Sequence, residues 1–172
     1  MAPVTASERV AESQRCFLSH SANETFALGA RLGQLLAPGD FIGLIGDLGT
    51  GKTEFVRGVA QGAGVSAAEV SSPTFAIISA YRGRIPIYHA DFFRIRDYDE
   101  AYATGFTDLL ESDGAVLVEW LNRVPRAAPR ELILLSFEDL GGEERRILAY
   151  AYGTRYQHRL QTWTPDAGSS KL

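Results

Sequence analysis

The sequence predicts an α/β fold of three layers, built around a mixed and partly antiparallel sheet. Two observations carry this prediction. In the first half of the 172 residues, short apolar runs of buried-strand type alternate with segments of helical periodicity. In the second half, apolar runs follow one another across short turns, which is typical of hairpins. Hydrophobic residues make up 45% of the chain and charged residues 22%, a composition that excludes a wholly disordered protein.

The elements follow from local patterns along the chain. Strands are predicted where runs are apolar or alternate in polarity, at 15–20, 41–45, 75–81, 85–89, 115–118, 132–137 and 146–152. Helices are predicted where apolar residues recur at helical spacing or acidic residues open a short turn, at 24–36, 52–61 and 97–104. Ser21 or Asn23 caps the first helix, and Gly62 and Gly105 end the other two. We expect a loose lead-in over residues 1–14, a single domain over 15–162 and a flexible C-terminal tail over 163–172.

Charge and cysteine content narrow the classes of protein. The chain has 17 basic and 21 acidic residues, so its net charge of −4 argues against broad electrostatic binding of nucleic acid. The single cysteine, Cys16, excludes an internal disulfide and fits a reducing compartment. The polar N-terminus lacks the apolar core of a signal peptide, and no apolar run approaches the ~20 residues of a membrane helix. We therefore expect a cytoplasmic protein without membrane contact.

One stretch of the sequence carries a specific chemistry. The residues that follow the predicted strand 41–45 match the pattern G-x-x-x-x-G-K-[ST]: Gly46, Asp47, Leu48, Gly49, Thr50, Gly51, Lys52 and Thr53. Glycines let backbone N–H groups surround an anion, and the following helix directs its positive dipole end to the same place. Lys52 can reach the β- and γ-phosphates, and the Thr53 hydroxyl can bind Mg²⁺. The sequence contains one other lysine, Lys171. The pattern predicts a P-loop NTPase-type domain, with ATP favoured over GTP because an Asn-Lys-x-Asp element is absent.

A Mg²⁺–triphosphate site also needs a carboxylate at the end of a neighbouring strand. Glu119 ends the strand 115–118, and Asp91 follows the strand 85–89 closely. His89 shares a strand face with Asp91 and is a candidate general base, and Arg94 is a candidate for stabilising phosphate charge. Thr74, which follows Pro73, is a candidate contact to Mg²⁺ or the γ-phosphate.

These elements together resemble the bacterial TsaE family, the P-loop ATPases of tRNA threonylcarbamoyladenosine (t6A) biosynthesis. The resemblance spans roughly residues 16–153 and rests on ordered elements: the phosphate loop, Ser72-Pro73-Thr74-Phe75, His89-Ala90-Asp91-Phe92-Phe93-Arg94, Gly105 with Asp108, and Leu117-Val118-Glu119-Trp120. Phe93 departs from the family, which usually has tyrosine at this position.

The resemblance implies both an activity and partners. The chain would hydrolyse ATP weakly alone, and it would act on the TsaB and TsaD proteins, which modify adenosine 37 of tRNA. It would touch tRNA only indirectly and be monomeric in isolation.

The resemblance also implies roles for individual residues. Thr53 and Glu119 would hold Mg²⁺, Asp91 would lie near the metal or the water, and Asp91, Glu119 and Arg94 would form the catalytic set. Trp120 would lie beside the nucleotide, and the adenine site would lie near Ser21 and Asn23. An arginine of the last hairpin, Arg145 or Arg146, would approach the nucleotide, and we take Arg146 as the candidate.

Two alternatives remain open at this point. A small-molecule kinase would use the same phosphate loop and a lid built from Arg123, Arg126 and Arg130. A nucleotide-gated binding module would use the loop for binding, with hydrolysis incidental. Phosphorylation of a small product would indicate the kinase, and nucleotide-dependent association without turnover would indicate the module.

Overall fold

The computed structural model describes residues 10–70 and 76–165. Within these residues, seven strands form one sheet in the order β1-β7-β6-β2-β5-β4-β3. The strands are β1 (Ser13–Ser19), β2 (Phe41–Ile45), β3 (Ile78–Arg82), β4 (Pro86–Asp91), β5 (Ala115–Glu119), β6 (Leu132–Gly141) and β7 (Glu144–Tyr152). The central strands β6, β2, β5 and β4 run parallel to their neighbours in that group, whereas β1, β7 and β3 pair antiparallel. The mixed, partly antiparallel sheet is as predicted.

Helices cover both faces of the sheet and complete the three layers. They are α1 (Ala22–Leu35), α2 (Lys52–Gly62), α3 (Tyr98–Ala103), α4 (Phe106–Leu109) and α5 (Thr154–Thr162). Apolar residues of α1, α2 and α5 share one core with the sheet, and those of α3, α4 and the 3-10 turns at 121–123 and 125–127 share the other. Because β2 is buried on both faces, its sequence reads as a continuous apolar run.

Helices α1 and α2 pack with their backbones in contact. A Cβ added to Gly29 or Gly33 on α1 would lie 2.2 or 2.0 Å from a carbonyl oxygen of α2. A Cβ added to Gly58 or Gly62 on α2 would lie 2.0 or 1.9 Å from a carbonyl oxygen of α1. Only glycine fits at these crossing points, so the position of α1 is fixed relative to α2.

The C-terminal end of the described chain differs from the prediction. Residues 154–162 form α5, which we did not predict, and Trp163, which we placed at the start of the tail, is fully buried. Its ring lies 4.3 Å from that of Phe17, and its Nε1 donates a hydrogen bond to the Leu28 carbonyl at 3.0 Å. Large aromatic side chains stabilise strongly when buried, and Trp163 therefore anchors α5 against β1 and α1.

Smaller differences concern element ends. Strand β1 begins at Ser13, inside the stretch that we assigned to the lead-in. The last two strands are longer than predicted, because β6 extends to Gly141 and β7 starts at Glu144. The short helix α4 was not predicted. Among residues 10–70 and 76–165, we find no helix with the length and apolar content to cross a bilayer.

Candidate functional site

The glycine-rich loop lies between the end of β2 and the start of α2. Gly46 has φ +140° and Gly51 has φ +96°, values that side-chain-bearing residues rarely adopt. A Cβ on Gly46 would also lie 2.5 Å from the Phe137 carbonyl oxygen of β6. Glycine at both positions lets the chain turn from strand to helix so that the N-terminus of α2 opens onto the loop, an arrangement suited to an anion.

The Lys52 side chain is held inside this loop. Its Nζ donates hydrogen bonds to the carbonyl oxygens of Gly46 and Asp47 at 2.7 and 2.6 Å, and it lies 4.3 Å from the centre of the Trp120 ring. Burial lowers the pKa of Lys52, although nearby carboxylates, with Glu119 foremost, oppose that shift. The ammonium is thus partly desolvated, and an anion at the loop would be its strongest available partner.

Two acidic side chains meet beside the loop. Parallel pairing of β4 and β5 places Asp91 opposite Glu119 at the carboxyl ends of the strands. Glu119 is buried and accepts from the Thr53 hydroxyl, with Oγ1 3.1 and 3.2 Å from its two oxygens. Burial raises the pKa of Asp91, and its Oδ1 accepts a hydrogen bond from the Phe93 N–H at 2.8 Å. Thr53, Glu119 and Asp91 therefore form one oxygen-rich cluster.

His89 belongs to this cluster but not as a general base. The residue is fully buried, and its Nε2 lies 2.8 Å from Glu119 Oε1. An imidazole ring that is buried from solvent and hydrogen-bonded to a carboxylate is not positioned to exchange a proton with a substrate. The candidate role of His89 as a base is therefore not supported by its position.

Trp120 covers the lysine from the β5 side. Among the described residues other than glycine, it alone has a positive φ, 59°. The left-handed conformation costs roughly 1–2 kcal/mol for such a residue. It turns the chain directly after Glu119 so that the indole lies over Lys52 and packs on Phe93, with ring centres 5.0 Å apart.

The other side of the loop faces the N-terminus of α1 and the last hairpin. A cavity of about 180 Å³ is lined here by Ala22, Thr25, Gly49, Gly51, Glu54, Glu143 and Arg145. Ser21 caps α1, because its hydroxyl accepts from the Glu24 N–H at 3.2 Å, and Asn23 is exposed in the first turn. Both residues lie close in the chain to the cavity wall, which fits their proposed place near a nucleoside.

Of the two hairpin arginines, the structure brings Arg145 and not Arg146 to the loop. Arg145 donates to the Gly49 carbonyl at 3.4 Å and to Asp139 at 2.9 Å. Arg146 points to the opposite face of β7 and pairs with Glu138 at 2.6 Å. Ile147, Ala149 and Ala151 are buried in the core that includes α2, which puts the odd positions of β7 on that side. Residues 147–152 are all apolar, so the sequence alone does not show this alternation.

Two further candidates from the sequence remain. Thr74 lies outside the described residues. Arg94 is exposed on the segment after β4, and it has no hydrogen bond to the loop within the described chain.

The cluster has the chemistry of a magnesium site. Carboxylate and hydroxyl oxygens are the ligands that Mg²⁺ prefers, and it usually takes one or two carboxylates together with substrate phosphates and waters. In the part of the chain that the structure describes, there is no group of three or more His, Cys, Asp and Glu side chains able to hold a metal without such help. Thr53, Glu119 and Asp91 fit Mg²⁺ bound together with a nucleotide.

Comparison with known proteins identifies the family of the chain. The sequence profile described as "Threonylcarbamoyl adenosine biosynthesis protein TsaE" matches residues 19–147. The chain is 38% identical over 135 residues to the tRNA threonylcarbamoyladenosine biosynthesis protein TsaE of Bacillus subtilis, covering 78% of this chain and 84% of that protein. It is 35% identical over 133 residues to the protein of the same name from Treponema pallidum, covering 77% of this chain and 97% of that protein. A crystal structure of B. subtilis YdiB superposes with a TM-score of 0.74 at 30% identity, covering 88% of this chain and 94% of that one. The chain belongs to the TsaE family of tRNA threonylcarbamoyladenosine biosynthesis proteins.

Proposed function

We propose that this protein is a Mg²⁺-dependent ATPase that supports t6A formation by acting on the TsaB–TsaD complex. The observation that carries the proposal is the contact between the Thr53 hydroxyl and the Glu119 carboxylate, 3.1 Å apart at the N-terminus of α2. A P-loop NTPase needs these two groups together to hold the metal of a metal–triphosphate. The raised pKa of Asp91, caused chiefly by burial, is a further mark of a functional carboxylate.

Each residue then has a defined task. Backbone N–H groups of the loop bind phosphate oxygens, and Lys52 exchanges its contacts with the Gly46 and Asp47 carbonyls for contacts with the β- and γ-phosphates. Thr53 and Glu119 would hold Mg²⁺, which supplies neutralisation of the charge that develops on the phosphates. Asp91 lies beside Glu119 and would orient the attacking water by accepting a hydrogen bond from it.

An exposed aromatic residue next to the site supports action on a partner protein. Phe93 is 43% exposed and contacts Trp120, which in turn lies over Lys52. Exposed aromatic and arginine side chains are enriched at protein interfaces, and Arg94 follows Phe93 directly. With a net charge of −4, the protein leaves tRNA contact to its partners. We infer that it acts as a cytoplasmic monomer until it docks.

The arginines of the kinase alternative have other contacts. Arg123 donates to the Ile95 carbonyl at 3.3 Å and lies over the Phe93 ring, and Arg126 lies over the Tyr98 ring. Side chains packed on the protein's own surface are not placed to close over a phosphate acceptor. We therefore prefer the ATPase.

The test is multi-turnover t6A synthesis with TsaB, TsaD, tRNA and ATP. We expect the parent protein to raise product well above one equivalent per TsaB–TsaD complex, and Lys52→Ala to abolish that effect. The variant Arg94→Ala should bind nucleotide like the parent but support fewer turnovers. If the parent gives no product beyond one equivalent, the proposal fails. ATP consumption with phosphorylation of a small metabolite would instead indicate the kinase.

A further inference from the structure

The buried contact between His89 and Glu119 is unusual because it puts an imidazole behind the carboxylate of the candidate metal site. His89 lies on β4, paired with Leu117 of β5, and its ring reaches diagonally to Glu119 at the strand end. The Nε2–Oε1 distance is 2.8 Å, and His89 has no exposed surface. Its Nδ1 has no hydrogen-bond partner in residues 10–70 and 76–165.

The contact defines which nitrogen carries the hydrogen. An ionised carboxylate only accepts hydrogen bonds, so Nε2 must donate and Nδ1 is left without a hydrogen in the neutral ring. Because Nδ1 lacks a partner in the described chain, the contact to Glu119 is the hydrogen bond that fixes the tautomer and the ring orientation there. The pair therefore acts as a unit.

The two oxygens of Glu119 are not equivalent. The Thr53 hydroxyl lies within hydrogen-bond distance of both oxygens. Oε1 also accepts a hydrogen bond from His89, whereas Oε2 has the Thr53 contact alone. Because the His89 contact engages Oε1 alone, Oε2 keeps more of its lone-pair capacity for a further ligand. Metal-binding carboxylates commonly depend on such outer hydrogen bonds, and their loss costs about 10- to 100-fold in metal affinity.

We propose that His89 is a positioning residue that orients Glu119 for Mg²⁺, and that it thereby sets the metal affinity of the nucleotide complex. The proposal rests on the proposed function, because it takes Glu119 as a metal ligand. His89 itself does not touch metal, nucleotide or water. Its effect is on Mg²⁺ alone, and nucleotide binding in the absence of metal does not depend on it.

The test compares His89→Leu, which fills a similar volume without a donor, with His89→Gln, whose amide can still donate to Glu119. Calorimetry measures ADP affinity in EDTA, and titration of Mg²⁺ into the ADP complex, followed by tryptophan fluorescence, measures metal affinity. We expect His89→Leu to weaken Mg²⁺ affinity by about 10- to 100-fold, with ADP affinity in EDTA within about twofold of the parent. His89→Gln should recover most of the loss.

Two results with the His89 variants would overturn the proposal. One is unchanged Mg²⁺ affinity in His89→Leu; the other is an equal loss of ADP affinity with and without Mg²⁺ in both variants, which would indicate that His89 only fills the core. If His89→Leu does not fold, the ¹⁵N spectrum of the parent decides, since the proposal requires Nε2 to carry the hydrogen with and without Mg²⁺–ADP. A hydrogen on Nδ1 alone would refute it.

The variant Glu119→Gln separates this proposal from the proposed function. If that variant binds Mg²⁺–ADP like the parent, the metal assignment of Glu119 fails, and both proposals fall. If Glu119→Gln loses Mg²⁺ affinity but His89→Leu does not, Glu119 stays a ligand and only the role of His89 is lost.

Discussion

The close packing of α1 on α2 gives a prediction with a calculable size. Gly58 lies at the crossing, where an added Cβ would be 2.0 Å from the Phe26 carbonyl oxygen. To restore an ordinary contact of 3.4 Å, the helices of Gly58→Ala must separate locally by about 1.4 Å. The obstacle is backbone on both sides, so no side chain can rotate away from the clash.

The cost follows from two opposing effects. Overpacking a core costs about 1–3 kcal/mol, and a backbone obstacle puts this site at the upper end. Alanine gains about 1 kcal/mol of helix propensity over glycine. We therefore expect Gly58→Ala to lower the free energy of unfolding by about 2 kcal/mol, which for a urea m-value of about 2 kcal/mol/M lowers the midpoint by about 1 M. The control is Gln61→Ala on the exposed face of the same helix, which should stay within about 0.5 kcal/mol of the parent.

The same substitution should disturb the candidate nucleotide site. The side chain of Thr25 on α1 lies 3.5 Å from where a Cβ of Gly51 would be, so a shift of α1 changes the wall of the cavity beside the loop. We expect weaker ADP binding by Gly58→Ala even at temperatures where it is fully folded. An unchanged urea midpoint, or a midpoint raised by helix propensity, would show that the helices do not meet backbone to backbone.

Four further predictions concern the site. Lys52→Ala should lose most ATP affinity by calorimetry while keeping its fold, since each charge-assisted hydrogen bond to phosphate contributes about 1.5–3 kcal/mol; unchanged affinity would refute the loop assignment. Arg145→Ala should weaken ADP binding measurably, whereas its neighbour Arg146→Ala should not, and the reverse pattern would contradict the hairpin geometry. Burial raises the pKa of Asp91, so the protonated carboxyl group stabilises the fold relative to the ionised one. This stabilisation is complete below the ordinary aspartate pKa of 3.8 and is lost as the pH rises through the raised pKa. Asp91→Asn should therefore unfold at higher urea than the parent at about pH 7, with no such gain at about pH 3. Phe93→Ala should keep the nucleotide affinity of the isolated protein and lose stimulation by TsaB–TsaD.

The candidate site could be proposed from the sequence largely because its phosphate loop is local in sequence. The phosphate loop needs only a strand, a glycine-rich turn and a helix in succession, and all three lie within residues 41–62. Asp91 and Glu119 needed one further step, since parallel strands of a three-layer fold end at the same edge. By contrast, the contact of His89 with Glu119 depends on side-chain reach between strands, which strand alternation alone does not give.

The C-terminal helix was missed for a different reason. Within α5 only Tyr156 and Leu160 are buried, one pair at i, i+4 in an otherwise polar segment. So sparse a stripe does not stand out as helical periodicity. What holds α5 is non-local: Arg155 and Arg159 pair with buried Asp40, and Trp163 enters the core beyond the helix end. A sequence pattern cannot show contacts made more than a hundred residues away.

The prediction for Phe93 rests on two contacts that link three residues from the loop to the surface. Lys52 touches the Trp120 ring, Trp120 touches the Phe93 ring, and Phe93 is 43% exposed. A non-glycine residue in the left-handed region persists only where its surroundings hold it, so the indole is fixed between these two neighbours. When a phosphate draws the ammonium away, Trp120 loses a cation–π contact of about 0.5–2 kcal/mol, and the ring on its other side is the next group to respond. A partner bound at Phe93 can therefore sense the nucleotide without touching it. The control is Tyr102→Ala, which removes an aromatic ring that is 62% exposed on α3. Equal loss of stimulation in Tyr102→Ala and Phe93→Ala, or none in either, would refute this route.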